Sequence, residues 1–278
     1  MNPIADKARS DILNALENDQ LVLPTLPEVA LKVRDVANDE DAGIMDLGAV
    51  IGNDAALTAR IIKVANNPMM RGNQEIKNLQ MALSRMGMQY TATLATGLAM
   101  EQMFHAKSPL VEKRMRDVWQ RSSEIAGMCQ VLARFSAPHL KADQATLAGL
   151  VHQIGVLPIL TFAEDHPELL NPLILDMLIQ SLHAEIGVKI LTSWDFDEDI
   201  VHIPEQYLQF GQDKEKSDLA DVVTVAMLQS YMGSDHPMAK VNYHTVMAFE
   251  RLGLDPDMQD TEAEDISAEM EAAMTMLA

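Results

Sequence analysis

The chain has 278 residues, 48% hydrophobic and 22% charged, the balance of a globular protein with core enough for one or two domains. Its 41 acidic residues against 21 basic ones leave a net charge of −20, a surface that repels phosphate backbones and anionic lipid heads and so disfavours general nucleic-acid or membrane-surface binding. A single cysteine, Cys129, excludes an internal disulfide and a thiolate zinc cluster, and with 4% aromatics and 20 Met the core is aliphatic and thioether. The N-terminus carries Asp6 early and has no apolar signal-peptide centre. The most apolar run, 147–162, is short for a bilayer span and holds His152, Gln153 and Pro158. A cytoplasmic protein is the expectation.

Apolar residues recur at helical rather than strand spacing nearly throughout. Ile4, Ala8, Ile12 and Leu16 share one face of a first helix. Pro24 holds 21–24 extended, and Thr25, Pro27 and Glu28 then signal a helix start that carries Val29, Val33 and Val36 inward. A short helix over 44–51 follows; Asn53 or Asp54 caps the next, with Leu57, Ile61, Val64 and Ala65 as its buried stripe and Asn66-Asn67-Pro68 as its end. Leu79, Leu83 and Met86 predict a helix closed by Gly87. Small residues (Ala92, Ala95, Gly97, Ala99) along 88–104 predict close packing against neighbours. Beyond Pro109 the pattern predicts long helices over 111–135 and 143–162, the latter kinked or ended by Pro158, then helical segments over 173–182, 184–194, 200–210, 219–231 and 241–252. In the acidic C-terminus Thr261 and Glu264 form a capping box, and Ile266, Met270, Met274 and Leu277 share a face that needs burial against the body or another chain.

No phosphate-cradling glycine loop, dinucleotide fingerprint or nucleophile elbow is present. The informative stretch is Leu147-Ala148-Gly149-Leu150-Val151-His152-Gln153-Ile154-Gly155, a polar pair inside an apolar run flanked by glycines that admit close backbone approach. Around it stand Trp119-Gln120-Arg121-Ser122, Leu182-His183-Ala184-Glu185-Ile186-Gly187, and Trp194. With these residues the chain resembles the HDOD family, whose domains are related to HD-type phosphohydrolases. Leu23-Pro24-Thr25-Leu26-Pro27-Glu28, the run 53–60, Lys63-Val64-Ala65-Asn66-Asn67 and Ala82-Leu83 with Met86-Gly87 resemble further family segments in order, so the likeness covers roughly residues 20–230.

Active HD hydrolases hold a divalent ion with a His, a His-Asp pair and a distal Asp, and the ion acidifies a bound water that attacks phosphorus. The resemblance places Arg121 at the first His, His152-Gln153 at the His-Asp pair, and Met227 at the distal Asp, with Asp221 as a shifted alternative. Two imidazoles without a facing carboxylate make a poor site for a hard divalent cation, and a guanidinium repels one. The resemblance thus implies a degenerate pocket of Arg121, His152, Gln153 and His183, with no metal and no cofactor. Simpler roles stand beside it: His152 and His183 as hydrogen-bonded core histidines, Arg121 paired with Glu124 at helical spacing, and the methionines as core.

The expected architecture is all-α: an N-terminal helix over 1–19, an HDOD-like helical domain over 20–252 with an N-terminal lobe (about 20–109) packed on a degenerate HD-like lobe (110–252), and an acidic amphipathic segment over 253–278. The expected function is a non-catalytic bacterial signal-transduction module acting through unidentified signalling proteins, with neither nucleic acid nor membrane as partner; the oligomeric state stays open. The alternatives are a metal-dependent HD phosphohydrolase and a metal-free anion or nucleotide sensor in the relict pocket.

Overall fold

The computed structural model describes residues 2–67, 70, 74–256, 269–270, 273–274 and 277. It is all-α, with no strand among the described residues. The helices are α1 (Pro3–Glu17), α2 (Glu28–Asn38), α3 (Ile44–Gly52), α4 (Ala55–Ala65), α5 (Leu79–Met86), α6 (Met88–Ala99), α7 (Pro109–Phe135), α8 (Ala142–Val151), α9 (Val156–Glu164), α10 (Pro172–Ser193), α11 (Glu198–Val201), α12 (Ile203–Gln206), α13 (Leu219–Ser230) and α14 (Met247–Arg251).

Local chemistry explains several of the starts. Asn2, Asp54, Asn78, Asn171 and Asp218 each accept a backbone N–H of the first turn through the side chain. Pro3, Pro109 and Pro172 stand at first helical positions, where the missing N–H costs nothing. Asn66 ends α4 and pins the segment after it: its amide donates to the Ile76 carbonyl at 2.7 Å and its oxygen accepts the Ile76 N–H at 2.8 Å.

Helices α2 to α6 pack on one another, and α7 to α14 make a second group around the α7–α8 hairpin. The buried apolar residues of both groups nonetheless form one continuous core. The groups meet where α6 crosses α8, and a Cβ at Gly97 would sit 2.4 Å from Leu150 Cδ1, so the small-residue pattern of α6 does permit close approach. A second link runs from Arg34 on α2 to the end of α10, where it donates to the carbonyls of Trp194 (2.5 Å) and Asp195 (2.8 Å). These carbonyls lie at a helix C-terminus, where a cation is favoured. The Trp194 indole returns a bond to the Pro24 carbonyl at 3.0 Å. The N-terminal helix α1 packs on α10, with Ala5, Ala8, Ile12 and Leu16 buried.

Met270, Ala273 and Leu277 are buried, the Leu277 carbonyl accepts a hydrogen bond from Arg60 at 2.7 Å, and a Cβ at Gly127 would fall 2.2 Å from the Ala273 carbonyl oxygen. These residues therefore lie against α4 and α7 of the same chain; burying Met270 and Leu277 contributes about 1.5–3 kcal/mol each. Ile266, the remaining member of the expected apolar face besides the half-buried Met274, lies outside the described residues.

Four expectations need correction. The run 143–162 is two helices, α8 and α9, separated by turns at 152–155. Pro158 is the cause: it has no N–H, and its ring would strike the carbonyl four residues back, at Ile154. The apolar stretch is also longer than expected, since Ala142–Glu164 has the length to cross a bilayer, but 83% of its apolar window is buried inside the fold as core. The two segments 173–182 and 184–194 are one helix, α10, which runs through His183. Finally, 200–210 and 241–252 are not single helices: Pro204 divides the former into α11 and α12, and in the latter one short 3-10 turn, Tyr243–Thr245, capped by Asn242, precedes α14.

Candidate functional site

The turn between α8 and α9 carries His152 and Gln153, and two glycines set its position. Gly149 faces α7 so closely that a Cβ would lie 2.5 Å from the Ala126 Cα. Gly155 faces α10, where a Cβ would lie 2.0 Å from the His183 carbonyl oxygen and 2.6 Å from the Gly187 nitrogen. Gly187 in turn packs on Pro204 of α12. Backbone contact between α9 and α10, and the seating of the Pro204 ring of α12 on Gly187 of α10, thus bring His152, His183 and Tyr207 together.

His152 is fully buried, and its Nδ1–H donates to the Gly149 carbonyl at 2.7 Å. That bond leaves Nε2 as the bare acceptor, which has no hydrogen-bond partner. His183 is also buried; its Nδ1–H donates to the Ile179 carbonyl at 2.8 Å, and its Nε2 accepts the Tyr207 hydroxyl at 2.9 Å. The Tyr207 ring meets that of His152 edge-on, with centroids 5.0 Å apart. The Tyr207 side chain therefore fills the space between the two imidazoles. Burial pushes its phenol up, against an opposing pull from the Gln153 amide.

Burial acts on the histidines in the opposite sense. It pulls His152 down to about 4, with the Gly149 carbonyl opposing and His183 adding to the shift, and it lowers His183 by the same cause. Both rings are neutral at pH 7. An unfolded chain takes up protons near pH 6.5, where the native His152 does not, so stability is full above pH 6.5 and falls as pH drops toward 4. A shift of this size is on the order of 3 kcal/mol. Urea midpoints measured from pH 7.5 to 4.5 should fall steeply for the wild type and less for His152→Gln. Equal slopes would refute the assignment.

Arg121 stands apart from this trio in its bonding. It lies over the Tyr231 ring, 4.7 Å from guanidinium carbon to ring centre, donates to the Ser230 carbonyl at 3.2 Å and sits 3.7 Å from Glu124. Ser122 and Ser123, next to it on α7, bury hydroxyls that find no partner. Of the candidates for the distal position, Met227 is a buried core side chain. Asp221 is spent on two structural tasks: it closes a capping box with Asp218, and it receives a two-pronged bond from Arg251 at 2.8 and 2.5 Å.

The donor set does not fit the divalent ion of the HD hydrolases. Each imidazole uses Nδ1–H on a carbonyl, the remaining nitrogen of His183 is taken by Tyr207, and position 153 offers an amide. Among the described residues no three His, Cys, Asp or Glu side chains converge as a metal site. Sequence reasoning named His152, Gln153 and His183 and missed Tyr207. Nothing in the local pattern at 203–207 marked that tyrosine, since its role comes from the contact of α10 with α12.

An all-α domain with a histidine-bearing turn wedged between packed helices is the architecture of HD-related domains. The chain belongs to the HDOD family, matching the HDOD domain over residues 23–209. It is similar to a crystal structure from Shewanella amazonensis SB2B, provisionally called a metal-dependent phosphohydrolase, at 30% identity and a TM-score of 0.84, over 97% of this chain and 99% of that one. The fold is shared with an HDOD domain protein of unknown function from Geobacter sulfurreducens (18% identity, TM-score 0.65, 98% and 97% of the two chains). It is shared too with a protein from Marinobacter aquaeolei VT8 provisionally called a signal transduction protein (18%, TM-score 0.66, 98% of this chain and 65% of that one). An uncharacterized protein from Treponema pallidum (strain Nichols) is 20% identical over 91% of this chain, which spans half of that relative's length.

Proposed function

We propose that the chain is a non-catalytic regulatory module of bacterial signal transduction, working in the cytoplasm through contacts with signalling proteins. The observation that carries this reading is Tyr207 seated between His152 and His183, with an amide at Gln153 and a guanidinium at Arg121. Metal-assisted phosphoester hydrolysis needs anionic ligands to balance the ion and an open coordination position for water. Of the imidazole nitrogens here, three are hydrogen-bonded and only His152 Nε2 is without a partner, and no carboxylate stands beside it at position 153. The name given to the Marinobacter relative agrees with a signalling role, and that given to the Shewanella relative states the competing one.

A metal-free anion sensor would need Arg121 as its cation, bound two-pronged to phosphate. Arg121 is instead engaged by Glu124, Ser230 and Tyr231, which favours the contact-mediated role. The deciding assay offers cyclic dinucleotides and generic phosphoesters to the purified chain with Mg²⁺, Mn²⁺ or Fe²⁺. No turnover above the metal-only blank is expected. Metal-dependent hydrolysis that disappears in His152→Ala would overturn the proposal.

A further inference from the structure

A cavity of about 290 Å³ opens where the two helix groups meet, away from the histidine turn. Its walls come from α2, α6 and α8 and from the segment after α10, with Ala92 and Leu147 as apolar lining. Three carboxamides face it, Asn38, Gln89 and Gln144. Exposed amides are ordinarily solvated, so they carry little alone. The second observation is Thr96: it lines the same cavity, is 98% buried by its 2% exposure, and its hydroxyl has no hydrogen-bond partner. A buried hydroxyl without a partner is costly, and a ligand that reaches it recovers that cost.

The rest of the lining narrows the ligand. Arg34 is the only cation among the lining residues, and two of its five N–H donors go to the Trp194 and Asp195 carbonyls. Its guanidinium carbon lies 4.7 Å from the centre of the Phe196 ring, so a cation and an aromatic ring stand together in the lining. Asp195 and Asp197 set two carboxylates against the one guanidinium, a net negative lining that disfavours a phosphate. Carboxamides pair two-pronged with the donor–acceptor edges of nucleobases. The volume lies at the small end of ligand sites, enough for a nucleoside and too little for a dinucleotide.

We propose that this cleft is a binding site for a nucleobase presented as an uncharged nucleoside, read by Gln89, Gln144 and Asn38 and anchored by the Thr96 hydroxyl. Because Arg34, Asn38 and Thr96 belong to one helix group and Gln144, Asp195 and Asp197 to the other, a bound base ties the two together. The inference is independent of whether the histidine pocket hydrolyses anything. The experiment titrates the full chain with adenosine, guanosine, cytidine and uridine by calorimetry, each beside its 5′-monophosphate. Saturable binding of at least one nucleoside at millimolar concentration or below is expected, with its monophosphate about tenfold weaker, a difference of about 1.4 kcal/mol. Gln144→Ala and Thr96→Val should each weaken it about tenfold. Thr96→Val also removes a buried unpaired hydroxyl, so its melting temperature should hold or rise while affinity falls. Absence of saturable binding for all four nucleosides overturns the proposal. So does a monophosphate that binds as tightly, or binding that both variants leave unchanged.

Discussion

Gly155→Ala is expected to lower unfolding free energy by about 3 kcal/mol, because the added methyl meets backbone rather than a side chain that can turn away. Its position lies 2.0 Å from the His183 carbonyl oxygen and 2.6 Å from the Gly187 nitrogen. Relief requires α9 to move off α10, and that movement separates His152 from the His183–Tyr207 pair. Gly211→Ala serves as the control, since nothing lies within 4 Å of a Cβ there. Urea unfolding should show a large fall in midpoint for the first variant and almost none for the second. If the two behave alike, close helix approach is not what holds the pocket.

Arg251→Ala should cost about 3–5 kcal/mol, the usual penalty for stranding one member of a buried ion pair. Arg251 and Asp221 have side chains only 8% and 4% exposed, and Arg251 also donates to the Gln212 carbonyl at 2.6 Å. Removing the guanidinium leaves a buried carboxylate and loosens α14 from the start of α13. The pair itself is worth less than its rupture, so Arg251→Met combined with Asp221→Leu should recover most of the loss. Chemical denaturation of the single and double variants gives the coupling directly. A double variant no better than Arg251→Ala alone would show that shape, not charge, decides at this contact.

Both effects lie at places that sequence reading treated differently. The glycines flanking His152 were legible as points of close approach because glycine in an apolar helical run has a cost that packing must return. Their partners were not: only the folded chain shows that Gly149 meets Ala126 and Gly155 meets His183. Asp221 was weighed as a shifted distal ligand, yet it belongs to Arg251, thirty positions on, in a segment whose helical extent the pattern overstated. The relict-pocket residues were named from a family likeness, and the structure gathers His152 and His183 around a tyrosine while Arg121 makes its bonds to α13 and the residue after it.

What the chain determined by itself is what depends on neighbours in sequence. The cap at Asp54 and the prolines at first turns act within a few residues, and the apolar faces of α1 and α4 show in their spacing, so the pattern suffices to predict an all-α chain. The continuity of α10 through His183 is a borderline case, because the imidazole is satisfied by its own helix at Ile179 and needs no break. Only the tertiary structure decided which polar groups share a space: Tyr207 between two histidines, Arg34 on the end of α10, and Thr96 without a partner facing a cleft. Those pairings join residues tens to more than a hundred positions apart. Which long-range partners meet is set by how helices dock, and docking depends on the shape of both surfaces at once rather than on any local pattern.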